Sequence, residues 1–469
     1  PSLSDWTVPG INVTASDVTI SNLLISNFTT GILAFQADSL LLEYVYIEDI
    51  QGVGIHINSS MDVEARDISV IRSEGSNIII EENSTGVFII DSVISWSEES
   101  GVIVRSGSDY FEMQHVVVDF NDDYGCLIAS PNAIISNNYI KYNGLNGIYY
   151  NSIIGATLSD NEFTGNGLSE VKAISSREIT IENNHFNATD NEGGGWGIDT
   201  SASSEIEIDN NMFELGLRLT GSDNFTIYDN EFSNITYGSN YDQKTGILLD
   251  GHNNALSNNI INNVGVGLVF LNDADNNLVE NSTILGASTD LEYYSSGLNN
   301  TFINTEIGTV DISEESYFET INYVDIQMFT VNGPVNNVEL NVNSSTDLDY
   351  VVVYATGYYG GQDSQTDSDG LIDRLFLVNE IYDGDWIAEE VETVVEYYYD
   401  GEEYTYNLDT DTSGYQKIYV NLRPTAEINY IKGIGDNSSS NVEAVKGADK
   451  PIFDEYTVAY WSFNEGDGL

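Results

Sequence analysis

The sequence predicts an all-β solenoid over roughly its first two-thirds, followed by a smaller all-β domain. Three observations predict the solenoid: a short phrase recurs, glycine-led apolar stretches lie between its copies, and apolar residues alternate with polar ones in both. Copies are spaced by roughly 19 to 29 residues and mostly by about 23, a period typical of stacked repeats. The second polar residue of each phrase is an asparagine: Asn138, Asn161, Asn184, Asn211, Asn230, Asn259 and Asn281.

Each copy of the phrase reads as strand, bend and strand. Alternating apolar residues precede the polar pair, and another apolar residue follows two places after the asparagine. These are phenylalanines in four copies, at Phe163, Phe186, Phe213 and Phe232. Because one unit cannot bury its apolar side alone, we expect the copies to stack with side chain on like side chain. Asparagine tolerates a left-handed bend and its amide can hydrogen-bond from coil to coil, so we expect these asparagines to form one column.

These phrases and the glycine-led strands resemble the right-handed parallel β-helix repeats of the pectate-lyase-like and NosD-like superfamily. The glycine-led strands GILAF, GIHI, GVIV, GCLI, GIYY, GILLD and GLVFL begin at Gly31, Gly54, Gly101, Gly125, Gly147, Gly246 and Gly267. The resemblance covers residues 1–315 and implies a right-handed parallel β-helix. It implies no single activity, because such solenoids serve lyases, hydrolases, epimerases, adhesins and surface scaffolds.

Composition restricts the classes of function. The 469 residues include 75 acidic and 14 basic ones, a formal net charge of -61. Such a surface repels nucleic acid, and it repels anionic polysaccharide unless salt or divalent cations screen the charge. No run of about 18 apolar residues occurs, so we expect no membrane span. The start PSLSDW is interpreted as that of a mature or trimmed piece, and Cys126 in GCLI as a buried, inert thiol.

Eleven Asn-x-Ser/Thr sequons occur. Asn281 is assigned to the asparagine column, and the other ten are candidate glycosylation sites: Asn12, Asn27, Asn58, Asn83, Asn187, Asn224, Asn234, Asn299, Asn343 and Asn437. Together with the acidity, they indicate an exported glycoprotein, located outside the cell or at its surface.

After Asn300 the asparagine period stops. Residues 316–435 contain strand-like runs and an Asp400-Gly401 hairpin turn, and they resemble immunoglobulin-like or transthyretin-like β-sandwich domains. Residues 436–453 read as a linker rich in small polar residues. Residues 454–469 are similar to the first strand of laminin-G or concanavalin-like lectin domains, here truncated.

Two groups of residues are candidate binding sites. Longer loops between Asn184 and Asn259 suggest a carbohydrate groove, although they are also explained as tolerated surface loops. The groove candidates are Trp196, Tyr237, Tyr241 and Lys244, together with Asp190, Asp199 and Asp242. The segment DSQTDSDGLID resembles a calcium loop through Asp363, Asp367, Asp369 and Asp373, although TDSDG is also a common strand-to-strand turn. Calcium is the one cofactor that the sequence suggests.

No complete lyase, hydrolase or epimerase motif is found, so no catalytic residue is assigned and the sequence leans against an enzyme. The basic residues of the solenoid, among them Lys172 and Arg218, lie in no lyase motif, and the four histidines are scattered. We therefore predict an acidic structural glycoprotein of a prokaryotic, in our interpretation archaeal, cell surface that self-associates into a surface layer, sheath or filament. Its candidate interfaces are the chain ends near Trp6 and from Tyr456 to Phe463. The alternative is a polysaccharide-binding or polysaccharide-degrading β-helix protein.

Overall fold

The computed structural model describes most of the chain, in the ranges 8–188, 195–235, 244–272, 274–297, 299–314, 316–330, 332–345, 351–354, 365–384, 386–408, 416–422, 428–434 and 444–446. Two compact units are found: Pro1–Asn300 with Glu306–Tyr317, and Thr301–Thr305 with Phe318–Leu469. The described residues form strands and no α-helix, which confirms the predicted all-β class. In these ranges, no helix has the length and apolar character needed to cross a membrane.

The strands are short and follow one another closely. In chain order they are β1 (Pro9–Val13), β2 (Thr19–Ser26), β3 (Thr30–Phe35), β4 (Asp38–Ile50), β5 (Val53–Asn58), β6 (Met61–Arg66), β7 (Ser69–Ser73), β8 (Ile78–Glu81), β9 (Thr85–Ile90), β10 (Val93–Ser95), β11 (Val102–Val104), β12 (Asp109–Gln114), β13 (Val117–Asp119), β14 (Cys126–Ile128), β15 (Ala133–Ser136), β16 (Tyr139–Lys141), β17 (Ile148–Asn151), β18 (Ile154–Ser159), β19 (Glu162–Thr164), β20 (Val171–Ile174), β21 (Arg177–Glu182), β22 (His185–Asn187), β23 (Ile198–Ser201), β24 (Ser204–Asp209), β25 (Met212–Phe213), β26 (Leu217–Thr220), β27 (Thr226–Tyr228), β28 (Glu231–Ser233), β29 (Thr245–Asp250), β30 (Ala255–Ser257), β31 (Ile260–Asn262), β32 (Val266–Asn272), β33 (Leu278–Glu280), β34 (Thr283–Leu285), β35 (Thr289–Ser295), β36 (Thr301–Ile303), β37 (Glu306–Ile307), β38 (Val310–Ile312), β39 (Tyr317–Thr330), β40 (Gly333–Pro334), β41 (Glu339–Ser345), β42 (Val351–Tyr354), β43 (Leu371–Asp383), β44 (Trp386–Glu390), β45 (Glu392–Tyr399), β46 (Glu402–Leu408), β47 (Gln416–Leu422), β48 (Ile428–Ile434) and β49 (Ala444–Lys446).

The first unit is a stack of parallel coils, as predicted. Fourteen strands, one from each successive coil, form sheet A in the order β1-β3-β5-β8-β11-β14-β17-β20-β23-β26-β29-β32-β35-β38. Most coils contribute two further strands that pair in parallel with the next coil, as β18 does with β21 and β19 with β22. Inside sheet A, Cys126 lies in register between Val102 and Ile148. It is fully buried, and burial raises the pKa of its thiol far above the usual range, so the predicted buried cysteine is confirmed.

The predicted asparagine column is present in the six members from Asn138 to Asn259. The side-chain Nδ2 of each asparagine donates to Oδ1 of the next at 2.9, 3.0, 3.1, 3.0 and 3.1 Å. Each Oδ1 also accepts the backbone N–H of the preceding asparagine. Since these amides are buried, the column satisfies polar groups that would otherwise destabilise the core.

The assignment of Asn281 to this column is wrong. The backbone N–H of Asn259 donates instead to Ser282 Oγ at 3.1 Å, and Asn281 is exposed with a φ of 50°. The two residues of the polar pair differ in conformation and contacts. The first adopts the left-handed backbone conformation of the bend, and the second makes the hydrogen bonds between coils. In the last copy of the phrase, NLVENST at residues 277–283, Asn281 is the first residue of the polar pair and Ser282 is the second. The corresponding first residues on earlier coils also have positive φ: Asn137, Asp160, Asn183, Asn210, Asp229 and Asn258.

A second asparagine column, which the sequence analysis missed, lies at the bend before sheet A. Asn121 donates to Asn143, and Asn143 to Asn166, both at 2.8 Å. Asn166 then donates through Nδ2 to the carboxylate of Glu170, which is 2 % exposed. Burial raises the pKa of Glu170 to about 8, and the hydrogen bonds from Asn166 only partly oppose that rise.

Glu170 occupies a position that is glycine on the two preceding coils. The backbone N–H of Cys126 donates to the Gly147 carbonyl, and that of Ile148 donates to the Glu170 carbonyl one coil later. A Cβ built at Gly147 would lie 2.8 Å from Nδ2 of Asn166, so the asparagine column requires glycine there. At Glu170 the acidic side chain itself completes the column.

The phenylalanines of the repeated phrase stack in the core as predicted. Ring centroids are 5.2 Å apart for Phe163 and Phe186, 4.7 Å for Phe186 and Phe213, and 4.4 Å for Phe213 and Phe232. All four side chains are buried. Stacked aromatic pairs add to the hydrophobic gain from burial, so this row is a main source of stability for the middle coils.

In the second unit, β39 pairs in parallel with β47, and β41, β42, β45 and β46 form an antiparallel sheet in the order β42-β41-β45-β46. The hairpin of β45 and β46 turns at Asp400 and Gly401, both with positive φ, as the sequence predicts. The immunoglobulin-like or transthyretin-like assignment of residues 316–435 stays a prediction. Within the predicted linker 436–453, β49 pairs with β48. The lectin-like strand 454–469 and Trp6 lie outside the described residues.

Candidate functional site

Four polar side chains form a row on the outward face of sheet A. Tyr149, Lys172, Asp199 and Arg218 lie in register on the successive strands β17, β20, β23 and β26. Side chains alternate across a strand, and the residue before each of the four faces the core. Those core residues are Ile148, Val171, Ile198 and Leu217, all of them fully buried. We call the four outward residues the polar row.

Asp199 is the centre of the polar row. Lys172 Nζ donates to Asp199 Oδ2 at 2.5 Å, and Arg218 donates through Nε to Oδ1 at 2.9 Å and through a terminal nitrogen to Oδ2 at 2.6 Å. The Asp199 side chain is 5 % exposed, whereas those of Lys172 and Arg218 are half-buried. Lys172 and Arg218 thus both pair with one nearly buried carboxylate, on a chain that is strongly acidic.

Trp196 supports the polar row from beside it. Its side chain is 6 % exposed and packs with Leu248, Val266 and Val269. The Arg218 guanidinium lies 5.4 Å from the centroid of the ring, within the range of a cation–π interaction. The ring therefore fixes the position of Arg218 and is buried, whereas the sequence analysis expected it to line an open groove.

The remaining groove candidates are only partly described. Lys244 is half-buried, and its carbonyl accepts the backbone N–H of Gly265 at 2.9 Å. Tyr237 and Tyr241 lie outside the described residues, as do Asp190 and Asp242. The structure thus places Trp196 and Asp199 together, and the full groove remains a prediction.

Sequence reasoning missed the two cations of the polar row, because it judged Lys172 and Arg218 by motif. They are 27 and 19 residues from Asp199, and these unequal spacings hide the shared position. The sequence pattern that could have revealed this row is the residue type at the second position of each sheet A strand. Aligned on that residue, VKAI, IDTS and LRLT place lysine, aspartate and arginine in one column.

The acidic segment after residue 363 forms a turn where it is described. Asp367 Oδ1 accepts the backbone N–H groups of Asp369 at 2.8 Å and Leu371 at 2.9 Å, and Gly370 has a φ of 70°. Asp363 and the side chain of Asp373 lie outside the description. Among the residues that are described, no group of three or more His, Cys, Asp or Glu side chains suits a metal ion. The calcium site stays a prediction.

The sequons differ in accessibility. Asn58 is buried, and its Nδ2 lies 3.5 Å from Glu81 Oε1, while Asn187 is half-buried. The Asn343 side chain and Asn437 are not described. The exposed sequon asparagines are Asn12, Asn27, Asn83, Asn224, Asn234, Asn281 and Asn299. Glycosylation remains a prediction for the accessible sites.

Comparison with known proteins agrees with the coil architecture. The family model for right handed beta helix regions matches residues 76–215. No curated protein matches the chain by sequence.

Three solved structures illustrate the structural likeness. The A-module of mannuronan C-5 epimerase AlgE4 from Azotobacter vinelandii has a TM-score of 0.40 and 14 % identity, covering 60 % of this chain and 87 % of that one. The Dettilon tailspike protein has a TM-score of 0.42 and 13 % identity, covering 81 % and 70 %. PfbA, a surface adhesin of Streptococcus pneumoniae, has a TM-score of 0.33 and 10 % identity, covering 76 % and 92 %.

Proposed function

We propose that the protein is a polysaccharide-binding β-helix protein located outside the cell or at its surface, and that the polar row holds an acidic sugar unit of the polymer. The observation that carries the proposal is the convergence of Lys172 and Arg218 on Asp199. These side chains lie on the outward face of sheet A, away from the core.

The arrangement fits a sugar carboxylate for two reasons. The half-buried cations strengthen hydrogen bonds to an anion, because such groups are only partly screened by solvent. Asp199 and the Trp196 ring also fix Arg218 before a ligand arrives, which lowers the entropy lost on binding. Tyr149, in register with Lys172, adds a hydroxyl and a ring at the next rung, where its ring centroid lies 5.1 Å from that of Tyr124.

The location outside the cell is supported by the acidity and by the exposed sequons. The structural-protein prediction depended on contacts near Trp6 and from Tyr456 to Phe463, which lie outside the described residues. Nothing in the described part of the chain supports self-association. The polysaccharide-binding alternative is therefore the better-supported proposal.

Replacing Arg218 with glutamine is expected to weaken retention on acidic polysaccharides by about tenfold, because a charge-assisted hydrogen bond contributes roughly 1.5–3 kcal/mol. Affinity electrophoresis in gels containing alginate or pectate measures the retention. Arg105→Gln is the matched control, since Arg105 is an outward arginine at the end of another sheet A strand, paired with Glu81 at 3.1 Å. Equal retention of wild type and Arg218→Gln, with equal melting temperatures, would contradict the proposal.

Salt gives an independent test of the same site. Retention of the wild type on acidic polymer is expected to rise between about 10 mM and 100 mM salt, because the Debye length falls from roughly 30 Å to 10 Å. The distant charges of this chain, which sum to -61, are then screened while the short contacts of the polar row remain. A steady fall in retention over this range would instead indicate attraction by a large positive surface, which this sequence does not provide. An assay for new reducing ends and unsaturated uronates separates binding from cleavage.

A further inference from the structure

A second left-handed bend follows the third strand of the coils, after β10, β13, β16 and β19. The pairings between coils place these bend residues in one column. Its members elsewhere include Asn27, Asp49, Gly165, Asn234, Asn263 and Gly286, which favour positive φ, and also Arg72, with a φ of 57° on the coil before Trp96. On three successive coils, however, the bend residue is aromatic: Trp96, Phe120 and Tyr142, with φ of 58°, 54° and 54°. We call these three residues the aromatic strip.

The rings of the aromatic strip stack on one another at the surface. The centroids of Trp96 and Phe120 are 4.5 Å apart with planes at 13°, and those of Phe120 and Tyr142 are 5.3 Å apart with planes at 19°. The three residues are 57 %, 38 % and 37 % exposed, in chain order. Because neighbouring rings stack with nearly parallel planes, their faces are turned toward each other and their outer edges are open to a ligand.

Folding alone does not account for the aromatic strip. A bulky residue with positive φ is strained, and asparagine, aspartate or glycine makes the same bend on six other coils at lower cost, although Arg72 also makes it. Exposed aromatic rings gain little from hydrophobic burial, and contiguous apolar surface on a monomer is typical of a binding site. Strain and exposure at three consecutive rungs therefore point to a ligand.

The surface beside the aromatic strip combines apolar and polar side chains. The outward residues Val93 and Tyr139 are exposed and lie in register with each other through β13, forming an apolar row parallel to the strip. Between the two rows lie Ser95, Asp119 and Lys141, and Ser95 Oγ donates to Asp119 Oδ1. An apolar floor with a central line of hydrogen-bonding groups suits a ligand whose rings have apolar faces and hydroxyl edges.

We propose that the aromatic strip is a second saccharide-binding surface, which takes a neutral β-linked polysaccharide lying along the coil axis with one sugar per coil. Neighbouring coils are about 4.8 Å apart, close to the advance of an extended β-linked pyranoside chain per sugar. The apolar faces of the sugars lie against the outer edges of the stacked rings, and their hydroxyls bond to Asp119 and Lys141. The acidic side chains of Glu98, Asp119 and Asp122 around the strip disfavour a carboxylated polymer. The strip belongs to other strands than the polar row, so this proposal does not rest on the function proposed for that row.

The test replaces the three rings with the residue that the bend prefers. The triple variant Trp96→Asn, Phe120→Asn, Tyr142→Asn is expected to lose retention on neutral β-linked polymers by about tenfold or more, because it removes all three ring contacts with the polymer. Its melting temperature is measured alongside that of the wild type, because asparagine relieves strain at the bends but removes two ring-stacking contacts. Affinity electrophoresis in gels containing hydroxyethyl cellulose, xylan or β-mannan measures retention, with an alginate gel as the acidic comparison.

Tyr110→Asn is the matched control, because Tyr110 is an exposed tyrosine with a φ of 54° in a different bend column. It is expected to leave retention unchanged. The proposal is overturned if the wild type is retained by none of the neutral polymers, if the triple variant is retained as strongly as the wild type, or if the triple variant changes only the oligomeric state. Arg218→Gln is expected to alter retention on alginate and not on neutral polymers, so failure of the strip and failure of the polar row give different results.

Discussion

Replacing Phe186 with aspartate is expected to lower the free energy of unfolding by at least about 4 kcal/mol. Phe186 is fully buried between Phe163 and Phe213, with ring centroids 5.2 and 4.7 Å away. The substitution removes both stacking contacts and places a charged carboxylate between the buried rings of Phe163 and Phe213. Unfolding in urea, followed by circular dichroism, measures the loss through the shift of the midpoint.

Asn187→Asp is the control for Phe186→Asp. It introduces the same charge one residue further along β22, where the side chain is half-buried and faces outward. A change within about 0.5 kcal/mol is expected, because a surface substitution of this kind leaves the core intact. Equal midpoints for the wild type and Phe186→Asp would show that the inward register of β22 is assigned wrongly.

We expect the free energy of unfolding of the wild type to fall as the pH rises, because Glu170 ionises. The variant Glu170→Gln is expected to lack this contribution. Burial at the end of the second asparagine column raises the pKa of Glu170 from its ordinary value of 4.5 to about 8. The folded state therefore holds the proton more tightly than the unfolded state. The stabilisation from the neutral carboxyl is complete below about pH 4.5, declines between 4.5 and 8, and is absent above 8.

The variant should therefore match the wild type near pH 4 and exceed its stability near pH 9, by an amount on the order of 5 kcal/mol. Glutamine keeps the size of the neutral carboxyl and one accepting oxygen for Asn166 Nδ2, while the weaker contact from the Asn166 backbone N–H at 3.4 Å is lost. Because the whole acidic chain also loses stability at high pH, the quantity to measure is the difference between variant and wild type across the pH series. Glu162→Gln, at an outward half-buried position of β19, controls for the loss of one charge. A difference that does not vary with pH would show that Glu170 is not buried as a neutral group.

The repeated features could be predicted from the sequence because each coil places its residues in the same environment. The asparagine column and the phenylalanine row were predicted from period and alternation alone, and the pairings between coils confirm both. Asn281 shows the limit of this reasoning. A shift of one residue within the polar pair separates the bend from the hydrogen-bonding position, and composition does not reveal which residue takes which task.

The features that distinguish one coil from the next were harder to predict. Trp196 lies on a long loop and looked exposed, whereas contacts with Leu248 and Arg218 bury it. The aromatic strip had a usable signal, since VISW, VVDF and YIKY each end a third strand with an aromatic residue. The signal for Glu170 in the sequence was weaker: glutamate occupies a position that is glycine on the two preceding coils.

By itself, the sequence determined the fold class, the stacking of the coils and the composition of the core. A side chain at a repeated position packs against the equivalent side chains of the two neighbouring coils. Only the tertiary structure decided which outward residues meet. Lys172, Asp199 and Arg218 are separated by 27 and 19 residues, so loops of unequal length hide their common register until strand pairs with strand. Burial of the Asp199 and Glu170 carboxyl groups is likewise set by packing, because the partners that shield them come from neighbouring coils and from the bends between strands.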